Sequence, residues 1–292
     1  MNLFSYEMFG RTFLLVTCRF HNMDMSINAV DDRFSGCREK MHKKVMNENG
    51  LLQKELEGNI DFQTEKKRKS HTCSIVPGGK PEHTQALMTY ILGGQKFRLM
   101  FNEAVQTKGG DVTVYKEQFQ FKSFHFLLRD AMQILKNISE SKTVYRYSTK
   151  QFTATKGTEV RFGRFTAAFN QRGAAEENCD NDGTLFTITS SSVVNLEKYA
   201  CLLETFENLI SPDEVFIVEE VKKSTECDKE IVLKHSMFHS YHNCDGLNAK
   251  DTFRFVHRVL CIIMTIHSLL GKIHLLCTPF TFTVFTRRPY PE

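Results

Sequence analysis

An acidic pair stands at the mouth of a β-rich segment in the second half of the chain. Asp213 and Glu214 follow Pro212 and lead directly into the apolar run at 215–217. A carboxylate at the start of a strand can hold a sugar hydroxyl, and it can stabilise the positive charge that forms on a sugar when its leaving group departs. Glu214 is therefore the first candidate for chemistry on a glycosidic bond.

An arginine lies in a second segment with strand character. Val144 and Arg146 are two residues apart, so both side chains fall on one face of a strand, and Tyr145 falls on the other. An arginine on the face of a half-buried strand is costly unless its charge is paired. From this segment alone, an edge position or a structural salt bridge is the ordinary explanation.

The composition is that of a globular protein. The 292 residues are 41% hydrophobic and 25% charged, with a net charge of +4, which excludes disordered, collagen-like and multi-span membrane classes. We predict no nucleic-acid partner, because that needs a pI above about 9 with clustered basic residues. The nine cysteines contain no CxxC pair, so we also predict no bound metal.

Helical patterns occupy the first half of the chain and strand patterns the second. Apolar residues recur at helical spacing in segments at 26–60, 83–106 and 121–135, with a polar break at 61–82. Period-two stretches predict strands at 142–148, 160–169, 185–191, 215–221 and 230–235. This segregation predicts an α+β fold, and the absence of a GxGxxG loop disfavours a Rossmann dinucleotide site.

Seven segments occur together in the order found in one known family. They are 29–32, 101–105, 121–128, Val144-Tyr145-Arg146, Arg161-Phe162-Gly163-Arg164-Phe165, 185–188 and Asp213-Glu214-Val215-Phe216-Ile217. Over the stretch from Ser26 to Cys244 the chain thus resembles the vertebrate arginine-specific ecto-ADP-ribosyltransferases. The resemblance implies N-terminal helices followed by a β-core of two facing sheets, with an NAD cleft between them.

The resemblance also implies a reaction and the residues that carry it. ADP-ribose would move from NAD or NADP to a protein acceptor, an arginine in the family, with release of nicotinamide. Arg146 would anchor the dinucleotide. Glu214 would bond the nicotinamide ribose and stabilise the cation formed as nicotinamide leaves.

Three positions depart from the family pattern. Tyr147 adds bulk where the family has a glycine close to NAD, and Ala167 stands where the first serine of a serine motif is expected. Pro212 replaces the first glutamate of Glu-x-Glu, which orients the acceptor, and Asp213 is adjacent but differently aimed. These losses predict impaired arginine transfer with surviving NAD binding or slow hydrolysis. The alternative function is a silent member that binds NAD or a protein partner.

The cysteines and a sequon point to the secretory pathway. Cys37 and Cys244 match the long-range disulfide of the family, whereas Ser141 and Ser191 stand where its second disulfide would need cysteines. Asn137 begins a glycosylation sequon. We predict a secreted or cell-surface protein, a monomer, with the cytoplasm as the alternative because the leader is weak.

The chain divides into three parts in this interpretation. Residues 1–25 form a leader like a degraded signal peptide, 26–246 the transferase domain, helical to 140 and a β-core from 141, and 247–292 an apolar extension. The apolar stretch of the leader is short, so an ordinary buried segment stays open. The first apolar run of the extension is too short to span a membrane, so a buried extension and a membrane anchor both stay open.

Overall fold

The computed structural model describes residues 7–8, 11–12, 20–67, 74–136, 141–179, 182–199, 206–245 and 247. The chain divides after Gly246 into two units, and the elements described below belong to the first. Asn137, most of the leader and nearly all of the C-terminal extension lie outside the described residues. In the described part of the chain, no helix is long and apolar enough to cross a membrane.

Most of the described helices precede the β-core. They are α1 (Arg38–Met46), α2 (Leu51–Gly58), α3 (Ile60–Lys67), α4 (Pro81–Leu92), α5 (Gln95–Thr107), α6 (Val112–Gln118) and α7 (Lys122–Leu135), with α8 (Arg172–Glu176) inside the core. The predicted start of the polar break at 61 is wrong, because α3 continues to Lys67. Phe62, only 2% exposed, anchors this helix in the apolar interior.

The start of the first predicted helix is also wrong, because residues 26–37 are loop and turn. Ser26 and Phe34 have positive φ angles of 45° and 56°. The backbone N–H of Ser26 donates to the carboxylate of Asp24 at 2.7 Å, and that of Phe34 donates to the carboxylate of Asp32 at 2.9 Å. Short aspartate-to-backbone bonds of this kind compete with helix formation and favour turns.

The strands form two principal sheets, and the α+β prediction is confirmed. The strands are β1 (Glu7–Met8), β2 (Arg11–Thr12), β3 (His21–Asn22), β4 (Lys142–Ser148), β5 (Phe152–Thr153), β6 (Glu159–Val160), β7 (Thr166–Ala168), β8 (Thr184–Ser190), β9 (Val194–Asn195), β10 (Asn208–Ile210), β11 (Glu214–Lys223) and β12 (Lys229–Phe238). The larger sheet has the order β4-β8-β12-β11-β6 and the smaller β7-β10-β9. Apolar residues of both sheets form one buried cluster between them, among them Val144, Ile188, Phe216, Leu233, Ala168 and Ile210.

The predicted strand at 160–169 is interrupted and divides between the two sheets. Gly163 lies in the left-handed region with φ of 62°, and a Cβ there would lie 2.4 Å from the Cβ of Ser26. Arg161, buried in this break, pairs with Asp31 at 2.6 Å. The break thus lets the chain leave the larger sheet and start the smaller one at β7.

Two disulfides hold the described unit together. Cys37 is bonded to Cys244 across 207 residues, which ties the start of α1 to the end of the β-core. A disulfide that we did not predict joins Cys179, after α8, to Cys227 in the β11–β12 turn.

Candidate active site

Polar side chains lie along the face of the five-stranded sheet that packs on the smaller sheet. Side chains alternate along a strand, so residues two positions from buried members of the inter-sheet cluster share their face. These residues are Lys142 and Arg146 on β4, Ser190 on β8, His235 on β12 and Glu214 on β11. The strand registers therefore place Glu214 and Arg146, far apart in sequence, on one face.

The carboxylate of Glu214 is wholly buried and has five hydrogen-bond partners. Its Oε1 accepts from the Ser191 amide at 2.6 Å and bonds to Nδ1 of His235 at 2.8 Å. Its Oε2 accepts from the hydroxyls of Ser190, at 2.7 Å, and Ser192, and from the Ser192 amide at 3.2 Å. Bonds to an ionised carboxylate are strong, so this group is fixed in orientation before any substrate arrives.

Asp213 directs its carboxylate to other partners. Its Oδ2 pairs with Nη2 of Arg129 on α7 at 3.0 Å and with Nε of Arg33 at 3.2 Å, and its Oδ1 accepts from the Ser211 hydroxyl. Burial acts to raise the pKa of Asp213, but Arg129, Ser211 and Arg33 outweigh it and the pKa is lowered. Neighbouring Pro212 has no acidic group, so neither residue adds a free carboxylate beside Glu214.

Two arginines lie close together: Arg146 on the inner face of β4, and Arg164 two residues before β7. Nη1 of Arg146 donates to the carbonyl of Ala167 at 2.9 Å, which joins the two sheets. Burial first, and then the charge of Arg164, lower the pKa of Arg146. Burial likewise lowers the pKa of Arg164, whose guanidinium has no hydrogen-bond or ion-pair partner among the described residues. Two half-buried guanidinium groups of this kind suit an anion such as a phosphate.

The structure does not bring Tyr147 to the side of β4 that carries Arg146. Successive residues point to opposite faces, and the ring of Tyr147 stacks on Phe169 with centroids 6.0 Å apart. Ala167 contributes its carbonyl but no hydroxyl. The hydroxyl of adjacent Thr166 donates to the carbonyl of Arg164 at 3.1 Å, so it is used within its own segment.

Several residues of this site were not predicted from the sequence. Ser190 and Ser192 hold Glu214, and the signal for them was a run of three serines at the end of a predicted strand. His235 gave no signal, because its place beside Glu214 depends on the pairing of β11 with β12. Within the described residues, no three His, Cys, Asp or Glu side chains form a group that could hold a metal ion.

Comparison with known proteins identifies similar sequences and structures. A family model described as NAD:arginine ADP-ribosyltransferase matches residues 23–240. Human ecto-ADP-ribosyltransferase 5 is 25% identical over 242 residues, covering 78% of this chain and 81% of the relative. Mouse T-cell ecto-ADP-ribosyltransferase 2 is 32% identical over 203 residues, covering 66% of each chain.

Solved structures match over a similar length. A crystal structure of the eucaryotic mono-ADP-ribosyltransferase ART2.2 superposes with a TM-score of 0.63 at 30% identity, over 77% of this chain and 98% of that one. A mutant of the same enzyme in complex with NAD gives a TM-score of 0.62 at 28% identity, with the same coverage. The segment matched by the family model contains Arg146, Arg164 and Glu214.

Proposed function

The chain belongs to the NAD:arginine ADP-ribosyltransferase family, and on this basis we propose that it cleaves NAD and transfers ADP-ribose to a protein acceptor. The observation that carries the proposal is that Glu214 and Arg146 share the inner face of the larger sheet. Lys142 and Ser190 are paired, and Ser190 bonds Glu214. Arg146 lies four residues beyond Lys142 on β4, which is roughly 13 Å at about 3.3 Å per residue. This separation suits the two ends of one extended ligand.

The two ends have the chemistry that NAD requires. Arg146 and Arg164 would bind the anionic pyrophosphate, and Glu214 would face the nicotinamide ribose. As the bond from C1′ to the nicotinamide nitrogen breaks, the electron pair leaves with nicotinamide and positive charge develops on the ribose. A carboxylate already fixed in place stabilises this charge more than it stabilises the ground state.

Transfer to arginine is the weakened part of the reaction. Pro212 supplies no carboxylate to orient a guanidinium, and Asp213 is engaged by Arg129 and Arg33. Ala167 supplies no hydroxyl. Each lost polar group typically costs about 2–4 kcal/mol of transition-state stabilisation, so we expect arginine transfer to be slower by roughly three to six orders of magnitude if the losses add.

One observation favours a second candidate function, an NAD-binding protein without chemistry. Both oxygens of Glu214 are occupied by donors of the protein itself, and the side chain has no solvent-exposed surface. A carboxylate that stays enclosed in this way cannot touch the ribose. The two functions therefore differ in whether Glu214 becomes accessible when NAD binds.

The co-substrate and location follow from the same proposal. We infer NAD or NADP as the donor of ADP-ribose and a secreted or cell-surface monomer as the protein. Two disulfides support this location, because disulfides persist in oxidising compartments. Relatives named as ecto-ADP-ribosyltransferases support it as well.

The test is nicotinamide release from NAD by the full chain, produced under oxidising conditions. Glu214→Gln removes the charge and keeps the shape, and we expect it to lower the rate by about 10²–10³-fold, the loss typical of one transition-state partner. Glu219→Gln is the matched control, because Glu219 lies on the same strand and, among the described residues, pairs only with exposed Lys234. Measurable NAD binding without release would establish the second function, and absence of NAD binding would exclude both.

A further inference from the structure

His235 is the one ionisable side chain among the five partners of Glu214. An ionised carboxylate only accepts hydrogen bonds, so the proton between them belongs to Nδ1 of His235, which lies 2.8 Å from Oε1. In the neutral imidazole, Nε2 then keeps a free lone pair. The side chain is 22% exposed, and its Nε2 has no hydrogen-bond partner within the described residues. A carboxylate that orients one imidazole nitrogen while the other is accessible is the arrangement of a general base.

The surroundings of this imidazole are rich in positive charge. The ring of Phe238 lies 4.9 Å from the ring of His235, and two cations lie over Phe238. Nζ of Lys136 is 4.0 Å from its centroid and Cζ of Arg33 is 5.3 Å away. A cationic guanidinium that approached His235 would therefore meet two like charges.

Nearby negative charge does not reverse this balance. Asp213 is already paired with Arg129 and Arg33, Glu214 is bonded to His235 itself, and exposed Glu159 on β6 is bonded to the hydroxyl of Ser236. Each of these carboxylates thus already has a partner within the protein. Pro212, two residues before Glu214, adds no carboxylate that could draw in a guanidinium.

We propose that His235 is the general base of the reaction and that it serves a neutral oxygen nucleophile, water or a protein hydroxyl, instead of a guanidinium. This inference rests on the proposed function. As nicotinamide leaves C1′ with the bonding electron pair, the oxygen attacks C1′ and a C–O bond forms. The proton of that oxygen passes to Nε2 of His235 and from the imidazolium to solvent.

The test is the pH profile of nicotinamide release for the full chain and three variants. His235→Asn keeps an N–H donor near the position of Nδ1 and removes Nε2. His239→Asn is the matched control, since the His239 ring contacts Tyr241, 4.7 Å away, and has no bond to Glu214. Because general-base catalysis contributes about 10²–10⁴-fold, we expect His235→Asn to lower the rate by that factor, and His239→Asn to leave it unchanged.

The shape of the profile separates a base from a merely structural residue. A general base must be unprotonated to act, so we expect the rate of the unaltered chain to fall toward acid and this acid limb to vanish in His235→Asn. Added imidazole should restore part of the rate in His235→Ala, which a structural role would not allow. Melting temperatures of the variants show whether each one is folded.

The outcomes distinguish this inference from the function on which it rests. An active chain whose His235→Asn variant keeps both rate and acid limb would overturn the role of His235 and leave the proposed function standing. A chain that releases no nicotinamide would overturn both. Free ADP-ribose as product identifies water as the nucleophile, protein-bound ADP-ribose identifies a hydroxyl, and acceleration by a small guanidino compound would overturn the assignment of an oxygen nucleophile.

Discussion

Asp213 and Glu214 are consecutive residues whose buried carboxylates bind different parts of the molecule. Asp213 pairs with Arg33 and with Arg129 of α7, which connects the β-core to the helices. Among the described residues, Glu214 is held by the serines at the end of β8 and by His235 within β12. The carboxylate of Asp213 therefore connects the helices to the β-core, and that of Glu214 is bound wholly within the β-core.

We expect Asp213→Asn to destabilise the fold. It leaves the guanidinium of Arg129, only 7% exposed, without its carboxylate, and removing one partner of a buried ion pair typically costs about 3–5 kcal/mol. The free energy of unfolding should fall by that order in urea at neutral pH, with Glu219→Gln as the control. Because the pKa of Asp213 is lowered, the contribution of its charge is present above the ordinary carboxyl pKa and is lost as the pH falls through the lowered value.

We expect Arg164→Ala to weaken NAD binding without weakening the fold. The side chain of Arg164 is half-buried and makes no ion pair or hydrogen bond with any described residue, so its removal breaks no bond among them. A hydrogen bond to a charged group contributes about 1.5–3 kcal/mol, which corresponds to a Kd about 10–100-fold higher. Calorimetric titration with NAD measures this, and Arg172→Ala, which removes an arginine paired with Glu230 instead, is the comparison. An unchanged Kd in Arg164→Ala would exclude this arginine from the dinucleotide site.

The long strands of the β-core could be predicted because their pattern is local. Alternating side chains identified β4, β8, β11 and β12 to within a few residues. The two- and three-residue strands β9 and β10 carry no such pattern, and the break at Gly163 depends on contact with the distant Ser26. Short elements are fixed by the packing of the whole core, which a single sequence does not display.

The candidate site could be predicted from the sequence only where a motif marks it. Glu214 and Arg146 are identified by the segments around them. Ser192 and His235 reach Glu214 through the registers of three strands, and these registers are long-range properties. The disulfide between Cys179 and Cys227 was missed because nine cysteines allow many pairings.

We expect stability to fall as the pH rises above neutrality because of His242. This side chain is 4% exposed; Nε2 lies 2.8 Å from the carbonyl of Gly109 and Nδ1 2.8 Å from Oδ2 of Asp245. Burial acts to lower the pKa of His242, but Gly109 and Asp245 outweigh it and the pKa is raised. A raised pKa gives stability that is complete below the ordinary value of about 6.5 and is lost as the pH rises through the raised value.

Urea unfolding between about pH 6 and pH 9 measures this loss. Burial also raises the pKa of Glu55, to about 7. This group therefore also lowers the free energy of unfolding as the pH rises, but it does so at lower pH. The contribution of His242 is therefore the difference between the unaltered chain and His242→Gln, which keeps a donor toward Gly109 but cannot titrate. If the two proteins lost stability in parallel above pH 7, the assignment to His242 would be wrong.

We expect Ser141→Cys combined with Ser191→Cys to form a disulfide. The two hydroxyls lie 2.8 Å apart, and the register that pairs Lys142 with Ser190 makes residues 141 and 191 the next opposed pair. Opposed residues of antiparallel strands have Cα atoms about 4.5–5.5 Å apart, within the range that a disulfide requires.

The crosslink would close a loop of 50 residues, which in the chain-entropy model raises the free energy of unfolding by about 4 kcal/mol. Melting temperatures before and after reduction measure the gain, with Ser141→Cys alone as the control. Because the Ser191 amide donates to Glu214, the crosslink also holds one of the five partners of that carboxylate in place. Nicotinamide release should therefore be retained in the oxidised protein, and a crosslinked form that melts below its reduced form would show that the present strand register cannot accommodate the bond without distortion.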